Sequence, residues 1–537
     1  MAFLIPTLQR ILGSDPELAR LGYRKPRTSI DDIRALIISP TRELAEQIAV
    51  EAKRLTKNTS VIVQTAVGGT QKRMHLTQMK REGCHILVGT PGRLYDLFSD
   101  PYSGVAAPRL QSLVYDEADR LLDQGFQEEI GKILNNLPSR AEQDRQTLMF
   151  SATVPDEVKH LVRSTLKPDF QFVQTIKEDE APTHERVPQR AVIVRSFENC
   201  LPALVELCQK GLEDAKTEGG RPFKAIVYFP TAADVSLANA VFRGMKDPDD
   251  VKQDSFGSYG GRHPLSPART FEIHSRLSQS ARTRSADNFR ACKSGILLSS
   301  DVTARGMDFP EVTHVINMHL PPNREQYIHR IGRTGRAGKE GESWIIASEI
   351  ERNEMRQRLR GFPIQNSTDT LSTATVDMTR ESEMPAPTAK ILRMVGEACK
   401  ATPVDMKVTA FQSRIGVFQW VHPKSAFVQN LNDLARFGWG LETPPRIPPG
   451  IAQKMGLNRV AGVNTGSDGY MSRDSGRGDR GGSGGYGERR SYGDRGDRGD
   501  RDPFTSDRGG SRGGFGGYGR DRGGDRQGFR PRSGGRY

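Results

Sequence analysis

What most limits the fold of this chain is a set of short, almost wholly apolar runs that occur in two series. The first series includes Ala35-Leu36-Ile37-Ile38, Ile86-Leu87-Val88, Leu113-Val114-Tyr115 and Thr147-Leu148-Met149-Phe150. The second includes Ala191-Val192-Ile193-Val194, Ile226-Val227-Tyr228-Phe229, Ile296-Leu297-Leu298 and Trp344-Ile345-Ile346. A strand with one wet face alternates apolar and polar side chains, whereas a run that is apolar throughout is buried on both faces. Each run leads into polar residues and then an amphipathic stretch, the order of strand, loop and covering helix. The pattern predicts two doubly wound α/β domains with parallel sheets, which bind ligands at the carboxyl ends of their strands.

A chain of 537 residues is long enough for two or three such domains. The first is expected over residues 1–176 and the second over 189–350, joined by a linker over 177–188 that begins Lys177-Glu178-Asp179-Glu180-Ala181-Pro182. A polar stretch containing Gly and Pro, Asp247 to Ala268, reads as a surface insertion in the second domain. Beyond Ile350 the periodicity turns helical, through Ile391-Leu392-Arg393-Met394 and Phe427-Val428-Gln429-Asn430-Leu431. This predicts a helical extension over 351–461 packed on the second domain. Residues 462–537 are rich in Gly, Arg, Asp and Ser with isolated Tyr and Phe. They bury too little apolar area to offset ordering entropy, so a disordered tail is expected. Its interleaved arginines and aromatic rings suit contact with single-stranded RNA.

The net charge of +13 points to a polyanionic partner. A bilayer span is not expected, because no apolar run reaches about 18 residues. Cys84, Cys200, Cys208, Cys292 and Cys399 are scattered without a C-x-x-C pair, which argues against a disulfide framework or a structural zinc site. Met1 to Pro6 reads as the apolar start of a helix, with neither a signal peptide nor an Arg-rich presequence.

The strand ends carry the chemistry. Asp116-Glu117-Ala118-Asp119 follows one apolar run. A carboxylate there is placed to hold Mg²⁺ on nucleotide phosphates through water, and the adjacent Glu to polarise an attacking water. Alone, the motif also admits the lesser reading of a charged helix start, with acids favouring the N-terminal dipole. Ser151-Ala152-Thr153 follows the next run, Pro40-Thr41-Arg42-Glu43-Leu44-Ala45 an earlier one, and Gly68-Gly69 and Thr90-Pro91-Gly92-Arg93 close two more. Glycine admits a phosphate close to a backbone N–H, while Arg and Thr supply donors. The second half adds Ser300-Asp301-Val302-Thr303-Ala304-Arg305-Gly306-Met307-Asp308 and Tyr327-Ile328-His329-Arg330-Ile331-Gly332-Arg333-Thr334-Gly335-Arg336. In a helical register Arg333 and Arg336 share a face, where two guanidinium forks suit a phosphate gaining charge.

Taken in order, these motifs resemble the DEAD-box family of superfamily 2 RNA helicases over roughly residues 1–350. Gln279 to Arg282 matches Q-x-x-R, and Ala304 to Asp308 matches A-R-G-M-D. The resemblance implies two RecA-like domains that close over ATP and single-stranded RNA, bending one strand and separating short duplexes. It implies Asp116 on Mg²⁺, Glu117 on the hydrolytic water, Ser151 and Thr153 as couplers, and Arg333 and Arg336 as arginine fingers. Asp308 would approach the ribose, and Pro40, Thr41, Arg42, Gly69, Thr90, Gly92, Arg93 and Ser300 would line the RNA backbone. His274, Gln279 and Arg282 would have structural or RNA-facing roles. Ser300 keeps the hydroxyl of the family's usual Thr, and Thr303 stands where Ala is common.

The helical stretch with Phe418-Gln419-Trp420 and Phe437-Gly438-Trp439, together with the Arg/Gly tail, is similar to fungal mitochondrial members of the family. Those assist group I and group II intron splicing and mitochondrial translation, which implies a monomeric RNA chaperone of the mitochondrial matrix. Arg/Gly tails also occur on nuclear and cytoplasmic members, so ribosome biogenesis or mRNA metabolism is the alternative. The pattern departs from the family at its front. Met1 stands where A-x-T-G-x-G-K-T would just have ended, and no other G-x-x-x-x-G-K-S/T occurs in the chain. The expectation is a chain begun late, acting without that loop as a hydrolysis-incompetent RNA-binding protein.

Overall fold

A computed structural model describes residues 1–465 except 21–27, 70, 124, 140–141, 153–155, 175–185, 248–262 and 304–306. Most of the linker, most of the insertion, Thr153, the Ala304–Gly306 part of its motif and the tail from residue 466 lie outside the described residues.

The first sheet holds β1 (Ala35–Ile38), β2 (Val63–Ala66), β3 (Ile86–Gly89), β4 (Ser112–Tyr115) and β5 (Gln146–Met149) in the order β2-β3-β1-β4-β5. Every pairing is parallel. β1 explains its own composition: Ala35 and Ile37 enter one core with Leu4, Ile11 and Ile48, while Leu36 and Ile38 enter another with Leu94, Leu97 and Ile130. All four strand residues are fully buried. β5 is different. Among the described residues it pairs on one side only, and all four of its residues are half-buried.

The second sheet holds β6 (Gln189–Val194), β7 (Lys224–Tyr228), β8 (Arg269–Ile273), β9 (Gly295–Ser299), β10 (His314–Met318), β11 (Glu342–Ser348) and β12 (Ile364–Asn366). Its order is β12-β6-β11-β10-β7-β9-β8, again parallel throughout. The eight apolar runs read from sequence all fall on strands or overlap them. β2 and β8 carry polar residues within the strand, and β12 is a three-residue edge. Among the described residues no helix is long and apolar enough to cross a membrane.

The segment after Ile350 is not wholly helical, because β12 adds a strand to the second sheet beside β6. The helices Ala386–Ala401, Val404–Val417 and Lys424–Asp433 then share one core with β7, β9 and the helices Cys200–Asp214 and Ala232–Gly244. Ile391, Met394, Phe411, Phe418, Phe427 and Trp439 are its main apolar contribution.

Two buried polar clusters fix this packing. Glu206 accepts from the amide and hydroxyl of Ser372 (2.9 and 3.0 Å) and of Thr373 (2.9 and 2.7 Å). Burial raises its carboxyl pKa, but these four donors outweigh that and leave it below the usual range. Separately, Arg414 donates to Asp234 at 2.9 Å and lies 3.3 Å from Nε2 of His319. His319 therefore carries its proton on Nδ1 and donates it to Glu351 at 2.8 Å.

Glu206→Ala leaves two amides and two hydroxyls without their acceptor, an expected loss of about 3 kcal/mol. Trp344, Trp420 and Trp439 are the chain's three tryptophans. All lie in the second domain or its extension, so tryptophan fluorescence in a denaturant titration reads this loss directly. The Glu206 pKa is depressed on folding, so its contribution is present above the unfolded carboxyl pKa and fades as pH falls. The gap between parent and variant should close on acidification.

Candidate nucleotide and RNA cleft

The carboxyl ends of the two sheets face each other. Asp116 follows β4 directly, with its amide bonded to the Ile38 carbonyl at 3.0 Å. Glu117 then takes a left-handed backbone (φ 51°), a strained conformation for a non-glycine residue. The turn ends as Ala118 donates to the Phe150 carbonyl and starts the helix Ala118–Asp123. Ser151 reaches this turn, its hydroxyl accepting from the Asp119 amide at 3.2 Å.

The two leading carboxylates are poorly solvated. Burial pushes Asp116 up to about 6, against a partial offset from the chain's α-ammonium group. Burial also raises Glu117, opposed chiefly by Arg333, and its Oε2 has no hydrogen-bond partner. A desolvated acidic pair of this kind fits a hydrated divalent cation, which supplies the missing charge. The fit rests on these two groups alone, since no cluster of three or more metal-ligating side chains occurs among the described residues.

Arg333 and Arg336 approach from the second domain, but not as a helical pair. The helix Arg324–Ile331 ends at Gly332, and Gly335 takes a left-handed backbone (φ 65°) that a continuing helix excludes. The two guanidinium groups still lie close enough to repel. Burial foremost, then Arg336, brings Arg333 down to about 10. Arg333 donates to the carbonyls of His329 and Met307. Arg336 pairs with Asp308 at 2.6 Å, so two residues assigned separately to the nucleotide contact each other.

Direct contacts join the domains. His329 Nε2 lies 2.9 Å from Asp119, and Arg120 donates to the Asp301 carbonyl at 3.3 and 3.4 Å. Glu43 binds Arg282 at 2.7 Å, Gln279 donates to Glu43 and Glu46, and the Asp308 amide donates to Gln47 at 3.3 Å. Glu43 belongs to a helix capped by Thr41, whose hydroxyl accepts from the Leu44 amide. The P-T-R-E-L-A motif is thus at once a helix start and a domain contact.

A cationic groove lies beside these contacts. Arg42 packs over Gly68 and Gly69, and a Cβ at Gly69 would stand 2.1 Å from its guanidinium. Burial lowers the pKa of Arg42, and Arg282 and Arg93 lower it further by repulsion. Thr90 sits at the start of the helix Pro91–Phe98, which carries Gly92 and Arg93. Between Gly69 and the helix Gln279–Ala291 is an open cavity of about 720 Å³, lined by Ser278, Ser280, Thr283 and Arg284 at the helix start and by Asp287 and Asn288 further along. Such a helix start favours an anion.

Comparison with known proteins agrees with this geometry. The pattern described as DEAD/DEAH box helicase matches residues 1–161, and that of the helicase conserved C-terminal domain matches 260–338. The chain is 49% identical over 486 residues to the mitochondrial ATP-dependent RNA helicase mss116 of Aspergillus fumigatus, covering 89% of this chain and 72% of that protein. The chain belongs to the DEAD-box family of RNA helicases. It is 48% identical to mitochondrial cyt-19 of Neurospora crassa, over 89% of this chain and 73% of that one. Among solved structures it is similar to Mss116p bound to ssRNA and AMP-PNP, with a TM-score of 0.65 and 27% identity over 85% of this chain and 84% of that one.

In this DEAD-box chain the structure gathers Asp116, Glu117, Arg333, Arg336 and Asp308 at one cleft, and Arg42, Gly69 and Arg93 at the adjoining groove. Ser300 lies at the carboxyl end of β9, its amide bonded to the Ile273 carbonyl. Pro40 precedes the cap of the Thr41 helix. His274 is buried, its Nδ1 accepting from the Arg276 amide and its Nε2 lying 3.1 Å from the Ser236 hydroxyl and 3.5 Å from the Glu272 carboxylate. Sequence reasoning missed Glu43, Gln47, Arg120, Asp301 and His329. All sit inside or next to motifs already singled out, but their contacts across the domain boundary depend on how the two domains meet.

The Asp116 shift has a measurable sign. Its folded pKa, about 6, exceeds the ordinary aspartate value of 3.8, so ionised Asp116 costs stability above pH 6 and that cost vanishes as pH falls through the window. Asp116→Asn should therefore stabilise the chain at pH 7 by about 1–3 kcal/mol. Urea midpoints between pH 4 and pH 7.5 should show the variant's advantage disappearing on acidification.

Proposed function

We propose that this helicase binds ATP with Mg²⁺ between its two domains and uses closure to bend single-stranded RNA, separating short duplexes in structured mitochondrial transcripts. The observation that carries the reading is Glu117, whose unpartnered, buried carboxylate oxygen belongs to a group held electrostatically by Arg333 of the other domain. A group so placed polarises a water only while the domains are closed. Bound Mg²⁺ neutralises phosphate charge. With the nucleotide and metal bound, Asp116 would hold the metal through its water, Glu117 would accept the proton of the attacking water, and Arg333 and Arg336 would meet the charge that builds on the transferred phosphoryl group.

Ser151, through the Asp119 amide, and His329, through the Asp119 carboxylate, tie this chemistry to the domain contacts. Pro40, Thr41, Arg42, Gly69, Thr90, Gly92, Arg93 and Ser300 supply the RNA-backbone track. Such contacts carry affinity without sequence specificity. The two fungal relatives are mitochondrial helicases, which supports a mitochondrial setting. Intron splicing and translation are the proposed uses of the activity, with the chain acting as a monomer.

The test uses the chain joined to a G-x-x-x-x-G-K-T loop upstream of Met1. Glu117→Gln should retain ATP and RNA binding while RNA-stimulated phosphate release stops. Arg336→Ala should slow release by roughly 10³-fold or more, the range of arginine fingers. Parental turnover in either variant would reject that residue's role. DNA replacing RNA as an equal activator would reject the substrate class.

The tail has a separate readout. Removing residues from Gly462 onward should weaken binding to large structured RNAs and flatten the dependence of log Kd on log salt, since each lost phosphate contact lowers that slope by about 0.7–0.9. Hydrolysis stimulated by short oligonucleotides should hardly change. An unaltered salt slope would reduce the tail to a spacer.

A further inference from the structure

The segment Met307–Thr313 leaves the cleft and crosses to the opposite edge of the second sheet, where β10 begins at His314. At its cleft end Met307 and Asp308 receive Arg333 and Arg336. At its far end Pro310 and Glu311 form a wall of a second cavity, of about 290 Å³, beside the amino ends of β7 and β9. None of the sequence motifs falls in it.

The lining is strongly basic. Arg221, Lys224, Arg290 and Lys293 share the lining with one carboxylate, Glu311, and Arg290 pairs with Asp287 at 2.6 Å just outside it. Arg221 pairs with Glu311 at 3.2 Å, and Lys339 also donates to it. Glu311 has a left-handed backbone (φ 62°), so these two cations hold a residue in a strained conformation. Lys224 is only 1% exposed. Its ammonium donates to the carbonyls of Arg290 (3.3 Å) and Cys292 (3.0 Å), which use two of its three hydrogens. Arg290 reaches the Asp308 carbonyl at 3.3 Å, tying the cavity wall to the cleft loop. Lys293 is exposed and has no ion-pair partner among the described residues.

We propose that this cavity is a binding site for a compact oligophosphate anion. Arg221, Lys224, Arg290, Lys293 and Lys339 outnumber the two carboxylates that pair with them, Glu311 and Asp287, and this surplus favours a multiply charged ligand. The volume, at the lower end of the roughly 300–1,000 Å³ of small-molecule sites, encloses a few linked phosphates and not a polynucleotide. The entering anion competes with Glu311 for Arg221 and gives the third hydrogen of Lys224 an acceptor. Burial holds the Lys224 pKa below its ordinary value, so an anion there relieves an existing cost.

Cys292 provides a local reporter, because it lines the cavity and is half-buried while the other four cysteines are buried. The experiment follows iodoacetamide labelling of Cys292 in the full chain, with inorganic tripolyphosphate as the probe. Labelling should slow roughly tenfold when the probe is at ten times its Kd, because only the unoccupied fraction reacts. Protection should vanish in Lys293→Glu, a surface change that leaves folding intact, and in Arg221→Glu. It should persist in Arg336→Ala, which alters the cleft. Absence of protection in the parent, or protection undiminished in Lys293→Glu, overturns the proposal. Loss in Arg336→Ala assigns the anion to the nucleotide cleft and overturns it as well. So does equal protection by a short oligoribonucleotide, which would make this an RNA-backbone contact.

Discussion

Burial of both faces of each sheet is the constraint on which everything else in this protein rests. A strand such as β1, with Ala35 and Ile37 packed on one side and Leu36 and Ile38 on the other, leaves no side chain free for chemistry. Polar function is displaced to the residue that follows the strand. Asp116 after β4, Ser151 just beyond β5, Thr41 after β1, Thr90 after β3 and Ser300 after β9 all obey this rule. Parallel pairing turns the rule into a site, because it sets these strand ends side by side. A mixed sheet would have scattered the same residues over two edges.

Closure of the two domains then buries charge, and each buried charge is answered from across the boundary or left in tension. Asp119 meets His329, and Glu43 meets Arg282. These satisfied pairs set the relative position of the sheets. Asp116 and Glu117 are not fully answered, and their raised pKa values record that deficit. The groove carries the opposite deficit at Arg42, whose pKa is lowered by burial and further by the nearby Arg282 and Arg93. An acidic shortage of cations beside a basic shortage of anions is the charge pattern that the proposed binding of a metal–nucleotide complex and a nucleic acid together requires. Stability is sacrificed at both places, as is usual where function needs unsatisfied groups.

The extension after Ile350 is continuous with the second domain and not an appendage. Its helices complete one apolar core with β7, β9 and two helices of the sheet. The Glu206 cluster and the Asp234–Arg414–His319–Glu351 chain add directional contacts that apolar packing does not supply. His319, at the end of β10, takes a left-handed backbone (φ 66°) in that chain. The extension therefore braces the strand-end edge of the second sheet at His319.

Periodicity by itself determined the fold class, because two-sided burial writes a continuous apolar run that no amphipathic strand shares. It determined the locations of Asp116, Glu117, Ser151 and Arg42 as well, since each follows such a run at once. It marked β2 only by the Gly68-Gly69 that closes it and did not reveal β8 or β12, whose Arg269 and Gln365 interrupt the apolar signal. Nor did it place Arg333 and Arg336 correctly. Spacing of three suggested one helical face, while glycine conformations at 332 and 335 ended the helix and a turn brought the two groups together. The partners Glu43, Gln47, Arg120, Asp301 and His329, and the basic cavity behind Glu311, were decided by tertiary structure alone. Local sequence encodes which side chains leave the core, but charge pairing between segments hundreds of residues apart depends on how two sheets dock, and no local pattern records that.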